Sequence, residues 1–205
     1  MIVHDVIQGS VEWYQLRAGK PTASEFSNVI TSTGKPSDSL KSYSRMLAAE
    51  LYAGKPLETF EGNFWTRRGR ELEPEAANQY AFIKNVEPEI VGFVTDDLER
   101  YGCSPDRLVG ADGSLEIKCL KTEQHVAIIQ YVQRNKKAPS DYIPQTQGQL
   151  LVCERAWSDL FFYHPDLPPV IVRQERDQGF LSLLKAQLSL VLAERDKVLE
   201  AIKAA

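Results

Sequence analysis

Hydrophobic positions recur with two different periods along the chain. Leu40, Tyr43, Met46, Leu47 and Leu51 fall three or four apart and predict a helix over residues 39–53, with Asp38 or Ser39 as N-cap and Gly54 then Pro56 as the stop. A second helical stretch covers residues 64–82 with Pro74 inside it; proline lacks the backbone donor and crowds the preceding turn, so a kink or a restart is expected there, with Glu73 at the joint. Further helices are predicted over residues 25–30 with Ser24 as N-cap, over 122–135, and over 142–153 with Pro144 in the first turn. Phe180, Leu184, Leu188, Val191, Leu192, Val198 and Ile202 form the apolar stripe of a long last helix. The shorter runs EIVGFVTD, SPDRLVG, SLEIKC, SDLFFYH and PVIVRQE read as strands, the first three as an antiparallel meander and the last two joined by the turn Pro165-Asp166-Leu167-Pro168. This pattern predicts an α/β (α+β) layer fold, a central mixed sheet of about five strands flanked by helices.

Composition narrows the class. A chain of 205 residues with 43% hydrophobic content can bury one good core, and a single domain over 1–205 is expected. No apolar run approaches the ~20 residues that cross a bilayer, and MIVHDVIQGS has neither a basic nor an apolar leader region, so a cytoplasmic protein is expected. Cys103, Cys119 and Cys153 contain no CxxC pair and signal neither a disulfide framework nor a zinc or iron–sulfur site. His4, His125 and His164 lack metal spacing and read as non-catalytic. The net charge of −4 argues against a broadly basic nucleic-acid surface, but a total conceals distribution. Arg67, Arg68 and Arg70 cluster in one turn, and Arg134, Lys136 and Lys137 in another; alone, such clusters are more often solvated helix faces.

The candidate chemistry lies in GCSPDRLVGADGSLEIKC, residues 102–119. Strand alternation puts Leu115, Ile117 and Cys119 on a core face and Glu116 with Lys118 on the other, which is expected to be exposed. Pairing through the turn Ala111-Asp112-Gly113 brings Asp106 near Glu116, and like charges so placed destabilise a sheet. A divalent cation would remove that cost, because Mg²⁺ takes hard oxygen ligands. Lys118 beside it could hold and polarise a water, and a lowered pKa would suit it to general-base duty. The plain alternative is a solvated strand face with a cross-strand ion pair, worth at most ~1 kcal/mol.

Pro105-Asp106, the spacing of ten to Glu116, and Glu116-Ile117-Lys118 match the PD-(D/E)XK nuclease signature. Together with EWYQLRAGKPTASEF, RRGRELEPEA, GCSPDRLVG and YIPQTQGQLLV, in that order over about two-thirds of the chain, the sequence resembles the phage lambda exonuclease and YqaJ-type viral recombinase family. The resemblance implies a restriction-endonuclease-like core and two divalent ions, Mg²⁺ or Mn²⁺, held by Glu73, Asp106, Glu116 and the carbonyl of Ile117, with Lys118 orienting the water. It also implies a pocket for the 5′-phosphate of a DNA end built from Arg17, Ser24, Ser104 and Gln145. Phe64 or Trp65 would be either packing residues or a wedge that parts the duplex. The implied activity is 5′→3′ digestion of one strand of double-stranded DNA to mononucleotides, leaving a 3′ overhang. A homotrimeric ring, a phage single-strand annealing protein as partner, and a phage or prophage origin in a bacterial host go with it. The other readings are an endonuclease or single-strand exonuclease of the superfamily, and a catalytically silent module that binds DNA ends.

Overall fold

A computed structural model describes residues 1–57 and 64–205, the side chains of residues 64–66 excepted. The chain runs through β1 (Ile2–His4), α1 (Val11–Arg17), a 3-10 turn (Ala23–Asn28), α2 (Leu40–Ala53) and α3 (Phe64–Lys84). It continues with β2 (Pro88–Glu89), β3 (Phe93–Thr95), β4 (Gly102–Cys103), β5 (Arg107–Val109), β6 (Gly113–Cys119) and α4 (Thr122–Asn135). The last part holds α5 (Ile143–Val152), β7 (Trp157–Tyr163), β8 (Val170–Glu175) and α6 (Gln178–Lys203).

The main sheet is mixed and five-stranded, in the order β2-β5-β6-β7-β8. Only β6 and β7 run parallel, and the connection between them carries α4 and α5. This is the crossover that parallel strands require. A smaller antiparallel sheet, β1-β3-β4, stands beside it.

Three apolar clusters hold the layers together. On one face of the main sheet, Ala76, Ala77 and Tyr80 of α3 pack on Leu115, Ile117 and Phe161. Leu160 and Phe162 of β7 point the other way, against Ile128 of α4 and Ala138. In the third cluster Tyr43 and Leu47 of α2 meet Leu184, Leu188 and Val191 of α6, with Phe26 and the end of α5. Gly54 adopts φ +65° just after α2, and Asp177 caps α6 by accepting from the Phe180 amide at 3.0 Å. Close packing also fixes α5 against the 3-10 turn: a Cβ on Gly148 would collide with the Phe26 ring and press on Ala23.

Several expectations need correction. EIVGFVTD is not one strand: β2 joins the main sheet and β3 the small one, with the break at Gly92, where a Cβ would collide with the carbonyl oxygens of His4 and Val6. The three-run meander is therefore split, and only β5 and β6 form the expected hairpin. Its loop is Gly110, Ala111 and Asp112, since Gly113 already pairs with Val109. The stretch around Pro74 is one helix without a restart; Pro74 lies on its exposed side, and the buried residues 76, 77 and 80 anchor the turns beyond it. Ser24 lies inside the 3-10 turn, and Thr22 stands at its N-cap without a side-chain capping bond. The face carrying Glu116 is not exposed: pairing with β7 makes β6 central, and α5 covers it, leaving Glu116 4% exposed. Cys103 and Cys153 are buried free thiols, Sγ to Sγ 3.3 Å apart. Among the described residues no helix is long and apolar enough to cross a membrane.

A buried polar tie locks α3 to the sheet. Asp159 of β7 has no solvent exposure; it accepts from Tyr80 Oη at 2.7 Å and from Arg173 Nε and Nη2 at 2.8 and 2.9 Å. Arg173 in turn stacks on Trp157, its guanidinium carbon 3.4 Å from the ring centroid. Removing one partner of such a group strands a buried charge. Arg173→Met is expected to cost about 3 kcal/mol by urea unfolding and Tyr80→Phe about 1.5 kcal/mol; losses under 0.5 kcal/mol for both would show that the tie does not hold the helix.

Candidate active site

The β5–β6 ladder pairs Arg107 with Leu115, so Asp106, one residue before the ladder, arrives opposite Glu116. Its Oδ2 accepts from the backbone N–H of Ile117 at 2.5 Å. Burial, followed by the neighbouring charges of Glu116 and Glu73, pushes the Asp106 carboxyl well above the usual carboxylate range, against the opposing effects of that amide and of Lys118.

Glu116 is held from three sides. Its Oε1 accepts from Lys118 Nζ at 2.6 Å and from Gln145 Nε2 at 2.5 Å, and its Oε2 accepts from Gln149 Nε2 at 2.5 Å. Lys118 Nζ also donates to Gln145 Oε1 at 3.1 Å. Burial works to lower the Lys118 pKa, but Glu116, by charge and by hydrogen bond, and Asp106 outweigh it, and the ammonium ends above its ordinary value. The expected lowered pKa is thus reversed in this arrangement: Lys118 is a fixed cation and donor.

Glu73 reaches the same place from α3. A cavity of about 460 Å³ is lined by Arg70, Glu73, Asp106, Glu116, Ile117 and Lys118. Glu73 Oε1 accepts from Arg107 Nη1 at 2.7 Å, and the same nitrogen donates to the Asp106 carbonyl oxygen. Among the described residues no three His, Cys, Asp or Glu side chains are grouped closely enough to hold a metal ion. The donor set nonetheless fits a hard divalent cation: three carboxylates and the backbone of Ile117 line one cavity.

A second polar cluster lies alongside. Arg17 Nη2 donates to Thr22 Oγ1 at 3.0 Å and to Ser24 Oγ at 3.3 Å, and its guanidinium stacks 4.2 Å from the Trp13 ring. Trp13 Nε1 donates to Ser104 Oγ at 2.8 Å, so Ser104 joins Arg17 through an indole. A cavity of about 320 Å³ opens on Trp13, Arg17, Lys20, Thr22 and Arg70. Burial lowers the Arg17 pKa from its very high ordinary value, which leaves a charged, planar donor.

The predicted residues therefore fall in two groups. Arg17, Ser24 and Ser104 share one cluster, and Glu73, Asp106, Glu116, Ile117 and Lys118 share the other. Gln145 is placed differently from expectation, on Glu116 and Lys118, because α5 lies over β6. Trp13, Thr22 and Gln149 were missed; the spacing of four between Gln145 and Gln149 on one helix face was the available signal for the last. The side chains of Phe64 and Trp65, the wedge candidates, lie outside the described residues.

The family whose model is described as the YqaJ-like viral recombinase domain matches residues 12–156, a span that contains both clusters. The chain belongs to this family. Among solved structures, an alkaline exonuclease (LHK-Exo) from Laribacter hongkongensis is 31% identical, with a TM-score of 0.83 over 95% of this chain and 97% of that one. A structure of LHK-Exo in complex with dAMP matches at 30% identity, with the same TM-score and coverage. A phage related exonuclease from Haemophilus somnus 129PT, 17% identical with a TM-score of 0.70 over 89% and 96% of the two chains, shares the fold. The mixed sheet flanked by helices is the PD-(D/E)XK fold of these phage-type exonucleases. No curated protein was found to match the sequence.

The Asp106 environment has a measurable consequence without any ligand. A carboxyl with a raised folded pKa binds protons more readily when folded, so its contribution to stability is present below the unfolded value of 3.8 and is lost as pH rises through the folded one. Asp106→Asn keeps the acceptor for the Ile117 amide and removes the charge. In the metal-free protein it is expected to raise Tm at neutral pH and to flatten the pH dependence of Tm; an unchanged or lower Tm would show that Glu116 and Glu73 do not oppose ionisation there.

Proposed function

We propose that this protein is a metal-dependent 5′→3′ exonuclease that digests one strand of double-stranded DNA from a 5′-phosphorylated end, releasing mononucleotides and leaving a 3′ overhang. The observation that carries the reading is the coupling of the two clusters: Ser104 of the arginine cluster and Asp106 of the carboxylate cluster are two residues apart, and Arg70 lines both cavities. An end group recognised at Arg17 would thus lie beside the residues that cut. Likeness to LHK-Exo, an alkaline exonuclease, over nearly the whole of both chains supports the same class of activity.

Each residue has a role in this scheme. Arg17, preset on Trp13, offers its fork to the terminal phosphate, with the hydroxyls of Thr22 and Ser24 beside it. Glu73, Asp106, Glu116 and the Ile117 carbonyl would hold two Mg²⁺ ions, with Mn²⁺ as substitute. When bound, the ions supply an activated water and stabilise the charge on the leaving oxygen. Lys118, kept charged by Glu116 and Asp106 and hydrogen-bonded to Glu116 and Gln145, positions that water through Nζ and opposes the charge that develops on the phosphate. Gln145 and Gln149 keep the Glu116 carboxylate from turning.

We further propose a ring-shaped homotrimer that encloses the DNA and works beside a phage single-strand annealing protein in the cytoplasm of a bacterial host, encoded by a phage or prophage. Linear duplexes labelled at the end or internally, with and without a 5′-phosphate, tested beside a closed circle in Mg²⁺ and in EDTA, separate the readings. Mononucleotide release from linear duplex only, lost in EDTA, is expected; cutting of the circle would establish an endonuclease, and no product from any substrate a silent binding module. Lys118→Ala should lower kcat about 10²- to 10⁴-fold. Arg17→Ala should instead cut the preference for phosphorylated ends by about 10- to 100-fold in kcat/KM. Equal loss on phosphorylated and unphosphorylated ends would remove Arg17 from the terminal-phosphate pocket.

A further inference from the structure

Glu73 is held by an arginine from another element, β5, whereas Glu116 takes its cation, Lys118, from its own strand. Arg107 Nη1 lies 2.7 Å from Glu73 Oε1, with the arginine side chain 11% exposed and the glutamate side chain 31% exposed. Arg107 pairs with Leu115, whose side chain packs under α3, so the guanidinium projects to the α3 face of the sheet. Glu116 projects to the opposite face, toward Gln145 and Gln149 of α5. The ion pair therefore holds Glu73 on the α3 face of the sheet, and among the described residues the three carboxylates are not assembled into one ligand group.

Resting on the metal-dependent nuclease reading, we infer that Arg107 is a positioning residue that competes with the metal ion for Glu73. A guanidinium and a divalent cation repel one another, and Glu73 cannot serve both at full strength. Glu73 joins an ion held at Asp106 when Arg107 lets go, while Glu116 keeps its own ion pair to Lys118 at 2.6 Å. An alternative place for the guanidinium exists. Arg107 also lines a cavity of about 720 Å³ together with Asp5, Trp13, Arg70, Glu73 and Asp106, in which Arg70 and Arg107 are the cations that an entering DNA phosphate would meet. A phosphate that takes Arg107 frees Glu73, so DNA and metal bind cooperatively, and by linkage each tightens the other to the same degree.

The test is calorimetric titration of Mn²⁺ into the DNA-free protein at fixed pH and salt. Wild type, Arg107→Gln, Glu73→Gln and the double variant form the cycle, with circular dichroism melts to check folding. Arg107→Gln is expected to tighten Mn²⁺ binding about tenfold where Glu73 is present and to change nothing in the Glu73→Gln background. Arg107→Lys, which keeps the charge but loses the fork, is expected to fall between, and carries the test if Arg107→Gln does not fold. Unchanged affinity in Arg107→Gln, or equal tightening in both backgrounds, would overturn the competition. A wild-type protein that neither binds Mn²⁺ nor degrades duplex DNA would instead sink the nuclease reading. Metal binding and degradation with an inert Arg107 would sink only the competition.

Discussion

A carboxylate in the middle of a sheet needs partners, and the placing of Glu116 governs much of this structure. Left unpaired at that depth, its charge would strongly destabilise the strand. Three donors answer it: Lys118 from the same strand, and Gln145 and Gln149 from α5. The two glutamines are in place only because α5 packs over β6, with eight of its ten residues buried. Packing that looks purely apolar elsewhere on α5 is thus a condition for seating this glutamate among its donors.

The opposite face obeys a similar constraint with different chemistry. There α3 is seated by Ala76, Ala77 and Tyr80, and the hydroxyl of Tyr80 reaches the fully buried Asp159, itself paired with Arg173. Glu73 lies two turns earlier on the same helix, so the tie at Tyr80 sets where that glutamate enters the cavity. The site is a meeting of two helices across the end of a hairpin, and each helix is fixed by one buried acid.

Much of this was legible along the chain. Period-two runs located β6, β7 and β8, and the helices over 39–53, 122–135 and 142–153 lie within two residues of their observed ends. Alternation separated Glu116 from Ile117 correctly, yet it could not tell whether the polar face would be wet or covered, because that depends on where the crossover helix lands. EIVGFVTD misled for a related reason: Gly92 breaks it through contact with residues 4 and 6, which no local pattern reports. Trp13 and Ser104, 91 positions apart, met only through the fold. The pairing of Arg107 with Glu73 was equally hidden, although Arg107 directly follows the aspartate of the signature.

Gly148 has a meaning beyond packing. Its bare Cα lets α5, which orients Glu116 and Lys118, rest against the turn that carries Ser24, so one glycine spaces the proposed end-group pocket from the proposed cutting site. A duplex end seated at Arg17 would then be measured against the protein before it is cut. In that sense the contact is a gauge: the size of the piece released would be a property of how closely one helix approaches one turn, independent of the sequence of the DNA.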